Sequence, residues 1–268
     1  MHPFIALMRT YCIDYTNSHD QSLYDRIMEP DYMLHTMGFT LAGRDEAYAP
    51  AVTQVFTEYP GLGLVVHEFV LNGDRLCMRF SEHGAAAQHD GRLTAWRGIG
   101  LYRWNGTRLV ENWVEQDYLA RDRQLATGVP NPLDRPHLDP WTTTHAVPED
   151  PAVVETMRQF LLAGDLTAVG GDVVMDDSDV TGRIDQVLDI ERVVIDDLFS
   201  AGPRAAFHVT LHGPYIGGLD VDPATVGRPV ELHVAGVASV HDGMVCDLRA
   251  VSGKQGIALR HRIRPGRG

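Results

Sequence analysis

The chain has 268 residues, 44% of them hydrophobic, and carries a formal charge of -13 from 36 acidic and 23 basic side chains. That is enough apolar material for one large or two small domains, and so acidic a balance excludes a nucleic-acid backbone as the partner of the main body. Three widely separated cysteines, Cys12, Cys77 and Cys246, form no C-x-x-C pair, which argues against a disulfide framework or zinc knuckle and for a reducing, cytoplasmic setting.

In chain order, Phe4, Leu7, Met8, Tyr11, Cys12 and Tyr15 recur at helical spacing, so the N-terminus reads as a first helix and not as a signal peptide. A short helix with Leu23, Ile27 and Met28 follows, then a strand near 31-DYMLHTM-37 and a helix from Arg44 to Glu58 stopped by Pro60-Gly61. Turns at Asn72-Gly73-Asp74, Asp90-Gly91 and Asn105-Gly106 separate four β-rich runs. Helices followed by a long antiparallel meander describe an α+β domain, with a curved sheet wrapped over helices. Nowhere do about 18 apolar residues run together, so no membrane span is expected.

The segment 128-GVPNPLDRPHLDPWTTTHAVP-148 holds five prolines and reads as a linker. It divides the chain into an expected first domain at 1–127 and a second at 149–260, with a flexible basic tail at 261–268. The second part repeats the first in shortened form. The run 79-RFSEHG-84 is echoed by 208-HVTLHG-213, and superposing Asn105-Gly106 on Asp242-Gly243 lays 95-AWRGIGLYRWNGTRLV-110 on 232-LHVAGVASVHDGMV-245. This predicts a diverged tandem duplication, with His233 opposite Trp96, Leu248 opposite Trp113 and Ser252 opposite Asp117. The second copy has no evident counterpart of the Arg44–Glu58 helix, which predicts a smaller or more open pocket there.

Glu111, Trp113, Glu115 and Asp117 share one face at period two, which suits either a solvated edge or the polar floor of a pocket. The element order and the run 102-YRWNGTRLVENWVEQDYLARDRQL-125 resemble the SnoaL-like polyketide cyclases of the nuclear-transport-factor-2-like superfamily. The residues that carry the resemblance are Tyr102, Arg103, Gly106, Glu111, Trp113, Asp117, Gln124 and Leu125. The resemblance covers the first domain and the second only in outline. It implies two tandem cone-shaped α+β barrels of the cystatin-like class and closure of a polyketide-like ring by intramolecular aldol condensation. It also implies that no cofactor or metal takes part, that Asp117 is the base, and that the barrels pair as an intramolecular pseudo-dimer or a homodimer. An epoxide-opening cyclase or hydrolase, and a non-catalytic binder or scaffold, are the alternatives.

A carboxylate in a dry pocket loses hydration and becomes a stronger base, which suits Asp117; the same residue is also placed to cap the helix that begins near Tyr118. His83 is a candidate acid or hydrogen-bond donor. His35, Tyr48, His67, Trp96, Arg103 and Trp113 are candidate pocket residues, although Arg103 is equally placed to pair with Glu111 across the hairpin. The 13 histidines include no H-E-x-x-H or H-x-H pair, so a metal site requires long-range assembly and none is expected. The acidic run 172-DVVMDDSDV-180 lacks the ligand spacing of a calcium loop and reads as a solvated turn.

Overall fold

A computed structural model of the chain describes residues 1–176 and 184–262. The end of the acidic run and most of the basic tail lie outside the described residues.

Helix α1 (Pro3–Arg9) starts with a proline in its first turn, buries Phe4, Ile5 and Met8, and continues as a π-helical segment, Thr10–Thr16. After α2 (Tyr24–Ile27), strand β1 (Met28–Thr36) turns back into β2 (Phe39–Ala42) through Met37 and Gly38, both at positive φ. The expected Arg44–Glu58 helix divides into a π-helical turn, Arg44–Tyr48, and α3 (Ala49–Glu58). Strands β3 (Gly63–Leu71), β4 (Arg75–Ala86), β5 (Arg92–Trp104) and β6 (Leu109–Gln116) follow, then α4 (Tyr118–Thr127). They form a six-stranded sheet in the order β2-β1-β6-β5-β4-β3, antiparallel except where β1 runs parallel to β6. One sheet face packs on the helices, with Phe4, Ile5, Tyr15, Tyr48 and Phe56 against Leu64, Met78, Phe80 and Tyr102.

The helical turn α5 (Pro140–Thr143) and helix α6 (Pro151–Leu162) lead into the second half. Here β7 (Val173–Met175), β8 (Arg192–Ala201), β9 (Arg204–Pro214), β10 (Pro229–His241) and β11 (Met244–Ser252) make a five-stranded sheet, closed by α7 (Lys254–Arg260). Its order is β7-β11-β10-β9-β8, again with one parallel pair, β7 with β11. The chain is therefore two tandem α+β cones, with β7, β8, β9, β10 and β11 standing for β1, β3, β4, β5 and β6.

The ladders refine the internal alignment. Both copies bulge at the same places: in β3 after Val66 and in β8 after Ile195, and at the ends of β5 after Arg103 and of β10 after Ser239. Leu101 pairs with Trp113 as Val237 pairs with Arg249, and Met78 pairs with Gly100 as Phe207 pairs with Gly236. Trp113 thus corresponds to Arg249, Asp117 to Gly253, and His233 to Arg97. The match of RFSEHG to HVTLHG holds, whereas superposing the hairpin turns gives pairings one residue out. The reason is loop length: the first hairpin closes across Asn105–Arg108, while the second needs only Asp242-Gly243. One slipped residue exchanges the two faces of a strand.

The two sheets lie face to face. Val70, Cys77, Ile99 and Leu101 of the first pack against Phe199, Ala201, Ala206, Ala235, Val237 and Val251 of the second. Ion pairs flank this apolar seam: Arg204 reaches Glu68 at 2.7 Å, Arg103 reaches Asp197 at 3.3 Å, and Arg75 also binds Asp197. Leu101 is fully buried in the seam, so Leu101→Ala is expected to cost about 2–5 kcal/mol. Urea unfolding followed by both tryptophan fluorescence and circular dichroism checks this; an unchanged midpoint contradicts the tight seam.

Candidate active site

Within the first cone, the helices and the inner sheet face leave a cavity of about 240 Å³. Tyr11 and Tyr15 reach it from the π-helical turn after α1, Tyr48 and Val52 from the α3 region, and Thr36, Glu82, Asn112, Gln116 and Tyr118 from the sheet and the start of α4. Strict alternation selects these sheet residues: Phe80 and Glu82 point inward on β4, as do Asn112, Val114 and Gln116 on β6. Gly98 lets the Phe80 ring cross the neighbouring strand, because a Cβ there would lie 2.3 Å from it.

Glu82 is the carboxylate of this cavity. Burial pushes it up to about 7, against the opposing pull of Arg121 and of the Trp96 indole. Arg121 is held by the rings of Tyr118, Trp96 and Tyr59, its guanidinium carbon 4.5, 5.5 and 5.9 Å from their centres. Burial also raises the hydroxyls of Tyr11, Tyr15, Tyr48, Tyr102 and Tyr118, so they remain protonated donors near neutral pH. Tyr15 and Tyr48 meet through their hydroxyls at 3.1 Å. Trp96 donates from Nε1 to Gln116 Oε1 at 2.6 Å, which fixes the Gln116 amide. Thr36 Oγ1 and Asn112 Oδ1 are buried without a protein partner, as polar groups that receive water or a ligand are.

The residues singled out from the sequence are distributed differently. Tyr48 lines the cavity, and Trp96 is buried behind it. Asp117 is buried, 5% exposed, but does not line the cavity: its Oδ1 accepts from Ala120 N at 3.1 Å and caps α4. In the second copy Gly253 caps α7 at the matching position. His83 and His67 sit on the opposite face of the sheet from Glu82, both hydrogen-bonded to Ser81 Oγ at 2.8 Å. His35 also faces out, stacked on Trp113 with ring centres 5.0 Å apart and bonded to Glu111 at 3.1 Å. Arg103 pairs with Glu111 at 3.2 Å across the hairpin and lies over the Trp113 ring. The face shared by Glu111, Trp113 and Glu115 therefore lines the space between the sheets, neither a solvated edge nor the floor of this cavity. Glu82 was missed in favour of its neighbour His83; the available signal was its place between Phe80 and Gly84 on an otherwise apolar face.

The sequence profile of SnoaL-like polyketide cyclases matches residues 6–125. Among solved structures, a protein from Jannaschia sp. CCS1 assigned as a SnoaL-like polyketide cyclase is 16% identical, covering 47% of this chain and 92% of its own, with a TM-score of 0.42. IdmH from Streptomyces antibioticus, assigned as a polyketide cyclase, is 20% identical over 47% of this chain and 100% of its own, with a TM-score of 0.41. An NTF2-like protein of unknown function from Burkholderia pseudomallei K96243 is 18% identical over 47% and 100%, with a TM-score of 0.42. No curated protein matches the chain. Residues 6–125 thus match the SnoaL-like polyketide-cyclase family, and the second sheet repeats the topology of the first. Among the described residues, no helix is long and apolar enough to cross a membrane.

A carboxyl raised from 4.5 to about 7 destabilises the fold where it must ionise. Between those values the folded state holds more protons than the unfolded, so this group's contribution falls as pH rises and is fully lost above about 7. Glu82→Gln is accordingly expected to melt higher than the parent at pH 8, with the difference shrinking towards pH 5; thermal unfolding at the two pH values measures it.

Proposed function

We propose that residues 1–127 act as a polyketide cyclase or isomerase on a poly-β-ketone-like small molecule, with Glu82 as general base. We also propose that residues 149–260, joined through the 128–148 linker, act chiefly as the covalent second member of a pseudo-dimer. The observation that carries the first reading is a carboxylate poised near neutrality in a largely apolar cavity, facing hydroxyl donors that do not ionise.

In the proposed reaction, Glu82 takes a proton from a methylene flanked by two carbonyls, and the electron pair moves into the enolate. The enolate carbon attacks a second carbonyl of the same molecule, a C–C bond forms, and the new alkoxide receives a proton back from Glu82 or from a tyrosine hydroxyl. Tyr15, Tyr48 and Gln116 are placed to donate to the oxygens on which charge develops. Apolar walls of Val52, Val55, Phe56 and Phe80 hold the chain folded, so that its reacting carbons meet. Asp117 enters as a positioning residue, because its cap fixes the first turn of α4 and with it Tyr118.

With a poly-β-ketone methyl ester as probe and ring closure followed by absorbance, Glu82→Gln should lower kcat about 10²–10⁴-fold, the range for general acid–base help. Its ligand affinity and folding should persist. Because the base must be ionised, parent activity should rise with pH through about 7. Asp117→Asn keeps a capping oxygen and should retain most turnover. Full activity in Glu82→Gln, or loss confined to Asp117→Asn, rejects Glu82 as the base.

A further inference from the structure

Between the sheets, at the edge of the apolar seam, lies a second cavity of about 130 Å³, lined by His35, Trp113 and Glu115 of the first half and Asp196, His208, Thr210 and His233 of the second. We infer that Glu115, His208 and His233 form a binding site for a first-row divalent transition-metal ion of the zinc type, bridging the two halves. One ligand atom from each of the three lies within 4.8 Å of the others, a spacing that small side-chain movements convert to coordination at about 2.0–2.1 Å.

The hydrogen bonds set the tautomers. Asp196 Oδ2 accepts from His208 Nδ1 at 2.8 Å and from the Thr210 hydroxyl at 2.8 Å. The Thr210 oxygen, having given its proton to Asp196, is left to accept from His233 Nδ1 at 3.1 Å. That places the lone pair of His233 on Nε2, which is buried and has no partner. His208 presents Nε2 to Glu115 Oε1 at 3.2 Å, and both Glu115 oxygens also accept from the Met37 N–H at 3.1 Å. A carboxylate behind one imidazole and a hydroxyl behind the other is the outer support that metal-binding histidines use. Once binding releases the proton that His208 Nε2 shares with Glu115, two carboxylates and two neutral imidazoles balance a dication. A Cβ at Gly38 would lie 2.8 Å from His233 Nε2, so glycine leaves room for this ring beside Arg260, whose guanidinium donates to the Met37 carbonyl at 2.7 Å. Three protein ligands leave coordination positions open towards the cavity.

The other end of the seam provides an internal comparison. In ladder register, Asp196, His208, Thr210, His233 and Glu115 correspond to His67, Arg79, Ser81, Arg97 and Val251. There Arg79 pairs with Glu68 at 2.7 Å and Asp134 at 2.8 Å, and Arg97 donates to backbone oxygens of Asp176 and Pro132. Docking the sheets is thus achieved with fixed cations at one end. At the other, both arginines are replaced by imidazoles and a valine by a carboxylate, and an ion-pair role alone leaves His233 Nε2 without a purpose.

The test uses the full chain, stripped with a chelator and titrated with Co²⁺ alone, followed by visible d–d absorption, with Zn²⁺ as competitor. Expected are saturation at one ion per chain, displacement by Zn²⁺ and a Zn²⁺-dependent rise in melting temperature. His233→Ala should weaken binding more than ten-fold, and Asp196→Asn, which acts through His208, by about 10–100-fold. His241→Ala, on the exposed hairpin, should bind as the parent does. If His233→Ala does not fold, His233→Gln serves, because its amide can still donate to Thr210. Absence of saturable binding, or parent-like binding by the His233 variant, overturns the site, as does equal weakening by His241→Ala.

Discussion

The packing of one sheet against the other is the constraint from which the rest follows. Val70, Cys77, Ile99 and Leu101 are withdrawn from water by Phe199, Ala201, Ala206, Ala235, Val237 and Val251, and apolar area removed in this way is the main favourable contribution to such an interface. Ala201, Ala206 and Ala235 of the second sheet let the backbones approach, while Ile99 and Leu101 of the first and Phe199 of the second fill the space. Each sheet is thereby covered on both faces, by its own helices on one side and by the other sheet on the second.

Double coverage separates two kinds of chemistry. The inner face of the first sheet, closed by helices and rich in tyrosine, is apolar enough to hold the Glu82 carboxyl near neutrality. The outer face carries Glu68, Arg79, Arg103, Glu111 and Glu115, whose charges are matched across the interface or along the sheet. Removing one member of such a pair strands its partner in a poorly solvated place, which costs more than the pair contributes. The two faces therefore tolerate different substitutions, although they alternate residue by residue along the same strands.

The two copies share a frame and differ in the side chains that it carries. The bulges and the parallel pairs, β1 with β6 and β7 with β11, are retained, because they set the twist and register of each sheet. The capping Asp117 has become Gly253, and Trp113 has become Arg249, without disturbing the ladders. The core of the second half is built from Met157, Leu161, Phe207, Leu232 and Val234 around α6. A duplicated chain can keep its interface as scaffold while each end of the seam acquires different side chains.

Much of this was legible from residue order alone: helical spacing in 4–15, the Asn-Gly and Asp-Gly turns, the proline-rich 128–148 segment, and the RFSEHG and HVTLHG echo depend on local geometry, which neighbouring residues determine. The faces were not. Period-two alternation states that Glu82 and His83 point oppositely, and that Trp113 and Glu115 point together, but when both faces are buried neither reads as the outside. Only the tertiary structure decided that Glu82 enters the cavity, that Asp117 ends as a helix cap, and that Glu115 meets His208 and His233 across more than ninety residues of chain. Sequence spacing carries no information about contacts created by docking two sheets, because their free energy depends on the complementarity of whole surfaces and not on any short run of residues.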